Sequence, residues 1–338
     1  MNNSCRYWRW LVWLLYIVLG ASQVRAAGPF PTPETMKMGV YQFAVLKSID
    51  ENNPTSTDIE GFCTAVALKN VVVGGVFKYG IVATAAHCLS FLYQEGRPLG
   101  YQERTEPRNL RRIHFVRPHE TGKGCDAPNG SSFLEVRKIH VLPPSLKIHS
   151  EDRLDSIVLM IVKPKAPFNR LPNFFPPATN ILIDTERQSD PNDDLVCHNT
   201  PLYGGMSPFL TAGYSDNEAL PAPLRNTNCA LRYGADTLNA KINDSKKTIW
   251  LSGVTNAENP QGFTWKGDSG SPLLQRRGTL AWSTVGILSM VKIDLLEGTK
   301  FRYSSSYMNL CSPHIQPYLT RLVPGFSGCR LSYVPRCR

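Results

Sequence analysis

The chain has 338 residues, of which 42% are hydrophobic and 19% charged; that is enough apolar material for two moderate cores, and it excludes an intrinsically disordered chain. The formal net charge is +10, but Lys and Arg are scattered, with local enrichment only at residues 108–112 and 241–247. A solvated basic surface therefore outweighs a dedicated anionic-partner site, and without aromatic interleaving or a nucleic-acid motif, nucleic-acid binding is not expected.

In chain order, Arg6 and Arg9 precede an apolar run over residues 11–19 and the small-residue pattern Val24-Arg25-Ala26. This reads as a cleavable export signal, residues 1–26, whose run is too short to span a membrane comfortably. A secreted or periplasmic location follows, with no stable membrane insertion after cleavage and a mature chain that stays basic. Of nine cysteines, Cys5 falls in the leader; Cys63, Cys88, Cys125, Cys197, Cys229, Cys311, Cys329 and Cys337 form an even set suited to disulfides. No close Cys-x-x-Cys pair occurs among them, so neither zinc nor another cofactor is expected.

Short runs of β-branched and aromatic residues, punctuated by Gly, Pro, Asn and Asp, predict strands over residues 41–46, 63–67, 71–76, 80–86, 133–141 and 156–162. Residues 101–130 read as a loop-like insertion. A proline-rich stretch, 168–177, lacks periodicity and opens a linker placed at 171–195, of which 188–194 is polar and acidic. Further strands are predicted at 209–212, 230–232, 248–251, 272–275 and 284–290, and a helix at 312–319. The reading is an all-β fold with a short C-terminal helix, divided into residues 27–170 and 196–338.

Three segments carry candidate chemistry. Residues 81–88, Ile-Val-Ala-Thr-Ala-Ala-His-Cys, read as a buried strand ending on His87. Asp155 heads the apolar run Ser156-Ile157-Val158-Leu159-Met160-Ile161-Val162, where burial leaves a carboxylate only an imidazole or backbone amides as partners. Ser269 lies in Gly267-Asp268-Ser269-Gly270-Ser271-Pro272, between glycines that allow a sharp turn. A serine hydroxyl needs an imidazole to take its proton, and the imidazole needs an acceptor to fix its tautomer. Each segment alone has a plainer reading: a strand-end histidine, a turn aspartate, a solvated Gly-rich turn. Their order along the chain gives them joint meaning.

That order, with its flanks, resembles the chymotrypsin-like (trypsin-like) serine protease family, in the manner of a secreted bacterial member. The resemblance runs from about residue 38 to 322. It includes Phe62-Cys63-Thr64-Ala65 before Thr84-Ala85-Ala86-His87-Cys88, the Thr211-Ala212-Gly213-Tyr214 motif, and Trp282-Ser283-Thr284-Val285-Gly286-Ile287-Leu288-Ser289. It implies two antiparallel six-stranded β-barrels packed across a cleft, His87 and Asp155 from the first and Ser269 from the second. It also implies a Cys63–Cys88 disulfide, the pairing of the other six cysteines staying open.

The implied activity is endopeptidase hydrolysis through an acyl-enzyme, with backbone N–H groups of Gly267 and Ser269 as oxyanion hole. Polypeptide substrates and protein inhibitors are the implied partners. Asp268 is expected to be buried behind the turn; it receives either a new N-terminus near residues 27–33 or an internal partner. The substrate pocket is assigned to Phe263, Thr264, Lys266, Ser289, Met290 and Val291. Phe263 stands where trypsin-type enzymes carry an aspartate, and Leu288 where glutamate-specific ones carry a histidine, so a shallow apolar pocket for small side chains is expected. The alternative is a secreted binding protein that keeps the fold without catalysis. An α/β-hydrolase esterase is disfavoured by the residue order and the scarcity of helices.

Overall fold

The computed structural model describes residues 36, 38–47, 59–94, 97–98, 102–116, 132–143, 146–148, 153–185, 209–214, 232–236, 241–242, 247–256, 267–277, 281–296 and 300–335. These residues are mostly β-structure, organised around two seven-stranded antiparallel sheets, with two short α-helices.

The strands of the first half are β1 (Val40–Leu46), β2 (Ile59–Val73), β3 (Val76–Ala85), β4 (Tyr93–Gln94), β5 (Arg97–Pro98), β6 (Gln102–Arg104), β7 (Ile113–Phe115), β8 (Leu134–Val141), β9 (Leu146–Ile148), β10 (Arg153–Asp155) and β11 (Ile157–Pro164). Helix α1 (Pro107–Leu110) sits between β6 and β7. The first sheet has the order β6-β8-β11-β3-β2-β1-β7. It curls on itself: the Phe133 N–H donates to the Phe115 carbonyl (3.3 Å), joining the approach to β8 to the end of β7. The β1 sequence Val-Tyr-Gln-Phe-Ala-Val-Leu is buried at every position, which explains its near-continuous apolar character. Inside the curl, Tyr41, Phe115 and Phe133 meet edge to face, with ring centroids 5.2–6.3 Å apart.

The second half comprises β12 (Asn180–Thr185), β13 (Phe209–Gly213), β14 (Arg232–Asp236), β15 (Lys241–Ile242), β16 (Thr248–Asn256), β17 (Pro272–Arg277), β18 (Ala281–Leu295), β19 (Lys300–Asn309), helix α2 (Gln316–Leu322) and β20 (Arg330–Pro335). Its large sheet has the order β14-β13-β17-β18-β19-β16-β15.

Several predicted boundaries shift. The two strands expected at 63–67 and 71–76 form one long β2 and the start of β3, joined at Gly74-Gly75. The polar, serine-rich β19 has no counterpart in the sequence reading; it is held between β18 and β16 by backbone pairing along its length. Helix α2 starts four residues later than expected, beyond Pro313.

The stretch read as a linker is tied to both sheets. The Phe175 N–H donates to Ala67 O and the Thr284 N–H to Pro176 O, both at 2.8 Å, while residues 180–185 pair in parallel with β20. Proline removes donors but leaves carbonyls, so a segment without periodicity can still be stitched down. Tyr214 then donates its hydroxyl to Val40 O (3.1 Å), adding a direct bond from the second half to β1. The largest hydrophobic cluster crosses the same boundary, joining Val40, Tyr41 and Val66 to Leu210, Tyr214 and Ile287.

Cys63 and Cys88 form a disulfide with Cα atoms 6.0 Å apart, and Cys311 pairs with Cys329. Both fit an oxidising compartment. Among the described residues no helix is long and apolar enough to cross a membrane. The export segment, residues 1–26, and Cys125, Cys197, Cys229 and Cys337 lie outside the described residues.

Candidate active site

Strand register brings His87 and Asp155 together. β3 and β11 run antiparallel with Ala85 opposite Ile157, and the Ala86 N–H donates to Ser156 O (2.8 Å). The end of one strand therefore faces the beginning of the other. Just beyond that end the chain makes a single 3-10 turn, Ala86–Cys88, carrying His87; just before Ile157 sits Asp155. Two residues 68 apart in sequence become neighbours because a hairpin-like register leaves them no other place.

Asp155 is fully buried and its carboxylate is met by four donors. Oδ1 accepts the N–H groups of His87 (3.1 Å) and Ser156 (2.9 Å); Oδ2 accepts His87 Nδ1 (2.8 Å) and the Ser289 hydroxyl. Burial raises a carboxyl's pKa, but the imidazole's charge and these hydrogen bonds outweigh it and hold Asp155 below the usual carboxylate range. For His87, burial disfavours the cation, while the Asp155 charge and hydrogen bond favour it; the balance lies above the ordinary histidine value. With Nδ1 donating to Asp155, Nε2 is the ring atom left to accept a proton. The His87 side chain remains 29% exposed.

Ser269 lies in a turn whose two flanking glycines both take the left-handed conformation, φ 92° at Gly267 and 85° at Gly270. At Gly270 space also forbids a side chain, since a Cβ there would run into Thr64 O and Thr84 Oγ1. Within the turn the Ser271 N–H donates to Asp268 O, and the turn is anchored to β18 by Gly270 N–H to Leu288 O, all at 2.8 Å. Among the described residues the N–H groups of Gly267 and Ser269 donate to no protein acceptor. The Ser269 hydroxyl likewise makes no hydrogen bond to His87 among those residues. The turn nevertheless abuts the histidine's neighbour, with Cys88 Sγ 3.6 Å from Ser269 O.

Thr64 is the residue that the sequence reading missed. Its N–H donates to Ser269 O (2.8 Å), its hydroxyl donates to Gly267 O (3.2 Å) and accepts the Tyr214 N–H (3.1 Å), and its carbonyl accepts the Thr84 hydroxyl (2.7 Å). One buried threonine thus holds both ends of the serine turn and links them to the strand that delivers His87. The signal available in sequence was a polar residue inside an apolar strand, next to a cysteine, but nothing there revealed its partners.

Ser289, assigned to the substrate pocket, donates its hydroxyl to Asp155 and is 5% exposed, at an irregularity in the β18–β19 register between Leu288 and Met290. Such a bulge re-aims a side chain. Met290 and Val291 follow on β18 and are half-buried. Phe263, Thr264 and Lys266 lie outside the described residues, as does the 27–33 segment expected to supply a new N-terminus. Asp268 itself is buried, 2% exposed.

Cys63, His87 and Cys88 place three metal-ligating atoms within 4.8 Å of one another. The two sulfurs are joined in a disulfide, so this cluster offers a metal only the imidazole. The arrangement as a whole supplies an oriented imidazole, a buried carboxylate and a glycine-framed serine turn. No protein-family model and no curated protein matches the chain.

Proposed function

We propose that the chain is a secreted serine endopeptidase of the chymotrypsin-like kind, built as two β-barrels across a cleft, and that it cleaves polypeptides through an acyl-enzyme. The observation that carries this reading is the Asp155 carboxylate fixing His87 Nδ1 at 2.8 Å at the meeting of two strand ends, beside a serine turn whose Gly267 and Ser269 amides have no acceptor among the described residues. Four donors hold that carboxylate fixed and ionised, which is what orienting an imidazole requires.

In this mechanism Ser269 Oγ attacks the peptide carbonyl carbon while His87 Nε2 takes the hydroxyl proton. Asp155 keeps the imidazole in the Nδ1–H tautomer and stabilises the cation as it forms. The carbonyl oxygen, now an oxyanion, is held by the N–H groups of Gly267 and Ser269. Collapse expels the amine, which receives the proton from His87, and leaves the acyl group on Ser269. Water, deprotonated by the same imidazole, then releases the acid and restores the hydroxyl. The separation between imidazole and hydroxyl closes on substrate binding, as hydrogen bonds that are loose in free enzymes commonly do. Val291 and Met290 fit one wall of a shallow apolar pocket.

The second reading is a binding protein without turnover, favoured by the missing His87–Ser269 hydrogen bond. An organophosphorus fluoride separates the two. The exported wild type should be labelled stoichiometrically on Ser269 and should cut a mixed peptide library, while Ser269→Ala does neither. A correctly processed wild type that is neither labelled nor active ends the enzyme reading; cleavage mainly after Lys or Arg ends the pocket argument.

A further inference from the structure

Among the described residues four large apolar side chains are strongly exposed, and three of them stand together: Val72 (53%), Val73 (58%) and Val76 (59%). They crown the hairpin of β2 and β3, where Val73 pairs with Val76 around Gly74-Gly75. Both glycines have positive φ, 60° and 77°, the conformation of the tightest hairpin turn, and nothing lies within 4 Å of where their Cβ atoms would be. The result is a narrow apolar point projecting into solvent, where the sequence analysis expected only two ordinary strands.

The point is held rigidly from below. Asn70 donates its side-chain amide to Leu171 O (2.9 Å) and accepts the Leu171 N–H (3.0 Å), pinning the hairpin where it leaves the core. Val71 is the last buried residue before the tip. Beyond it lie two residues before the turn, about 7 Å of extended chain. That is close to the depth of about 5–10 Å at which apolar groups sit in the interfacial layer of a bilayer.

Charge selects the lipid. From residue 61 to residue 94 the chain carries Lys69 and Lys78 and no Asp or Glu. Lys78 is exposed beside the tip, and Lys69 Nζ lies 3.8 Å from the Cβ position of Gly325, so the C-terminal segment borders the hairpin base. The described stretch around Gly325, residues 316–335, adds Arg321 and Arg330 and no Asp or Glu. We infer that the Val72–Val76 hairpin is a membrane-docking tip, which inserts its valines into the headgroup layer of an anionic bilayer while Lys69 and Lys78 bind the lipid phosphates. This is peripheral contact, distinct from the spanning insertion that the sequence analysis rejected.

Geometry gives the docking a use. Val76 and His87 lie at opposite ends of β3, about 30 Å apart along an extended strand. A chain seated by its tip therefore holds the candidate active site in the aqueous phase, turned away from the lipid. The inference stands whether or not that site is catalytic.

The test uses the exported full-length protein with sedimented vesicles of phosphatidylcholine, with and without one-third phosphatidylglycerol. The wild type should pellet with the anionic vesicles. Val72→Ser/Val73→Ser/Val76→Ser should lower the partition at least tenfold, and Lys69→Gln/Lys78→Gln should lower it about fivefold for each lysine. These side chains are exposed or flexible, and circular dichroism verifies that the variants fold. Val73→Trp should shift its emission to the blue on vesicle addition and be quenched by brominated lipid tails. Triple-serine binding equal to wild type, or a tryptophan that stays in water on bound vesicles, overturns the inference. So does a wild type that ignores vesicles but forms a dimer which the triple-serine variant loses, because the tip then contacts a second copy.

Discussion

The His87–Asp155 pair and the Ser269 turn are positioned by different means. His87 and Asp155 belong to adjacent strands of one sheet, and their meeting follows from the pairing of Ala85 with Ile157. Ser269 belongs to a turn before β17, and much of what fixes it comes from across the molecule, through Thr64 and Thr84. Strand register is a cooperative constraint that one side chain cannot undo. A cross-sheet clasp rests on a few hydrogen bonds and one close contact. The first region should therefore lose chemistry without losing structure when altered, whereas the second should lose both in proportion.

The sharpest separation comes from Asp155→Asn. Register survives the change, but the amide no longer favours the imidazolium or enforces the Nδ1–H tautomer, and kcat should fall about 10⁴-fold with little change in fold. The pH profile carries the diagnostic sign. His87 is held above the ordinary 6.5 by Asp155 against the pull of burial, so wild-type activity should rise with pH through a value above 6.5, as the base becomes neutral. In the variant burial acts alone, and the rising limb should move to lower pH. A limb that stays put would detach His87 from the rate.

Gly270→Ala attacks the other region. The new methyl group meets Thr64 O in a conformation, φ 85°, that L-residues rarely adopt. Destabilisation of about 3 kcal/mol or more is expected from urea unfolding, together with loss of activity. An alanine variant as stable as wild type would mean that the turn is not pressed against β2.

How much of this was legible beforehand follows the same division. His87, Asp155 and Ser269 became candidates through their order along the chain together with local flanks: a strand end, a run head, a glycine-framed turn. The Cys63–Cys88 pairing came from resemblance and matches the structure. Thr64 escaped because its role is fixed by a partner 203 residues away, and the bond from Ser289 to Asp155, 134 residues away, was equally out of reach. A threonine in a strand is ordinary by propensity, and only the folded chain reveals that its hydroxyl has two partners. β19 escaped for a related reason: its serine-rich sequence is carried by pairing on both sides and lacks an apolar pattern of its own. The mostly-β class was legible from turn punctuation; the seven-stranded sheets were not, because strand count and order depend on which edges meet.

Thr64→Val measures the clasp itself. The substitution keeps shape but leaves the Tyr214 N–H without its acceptor and releases Gly267 O, at a cost of about 1–3 kcal/mol. If the serine turn is positioned as proposed, kcat and the rate of organophosphorus labelling should fall about tenfold with KM nearly unchanged. Thr64→Ser, which retains the hydroxyl, should restore most of both. Equal loss in the serine and valine variants would assign the residue to packing and leave the turn positioned by other contacts.

The mildest effect lies in the first sheet, away from the chemistry. His114 on β7 is buried at 8% exposure; burial, aided by the charge of Lys165, pushes its pKa down to about 4. An unfolded chain protonates this imidazole near its ordinary 6.5, while the folded one does not until much lower pH. Proton uptake then favours the unfolded state, and stability is lost as pH falls through 6.5. Between pH 7 and 5.5 the contribution is about 1 kcal/mol, a window chosen above the range in which most carboxylates titrate. Urea unfolding across it should give a shallower pH slope for His114→Gln than for wild type by that amount. Parallel slopes would place His114 in contact with solvent, and would show that the first sheet is less tightly sealed at β7 than its role as the rigid partner of the site requires.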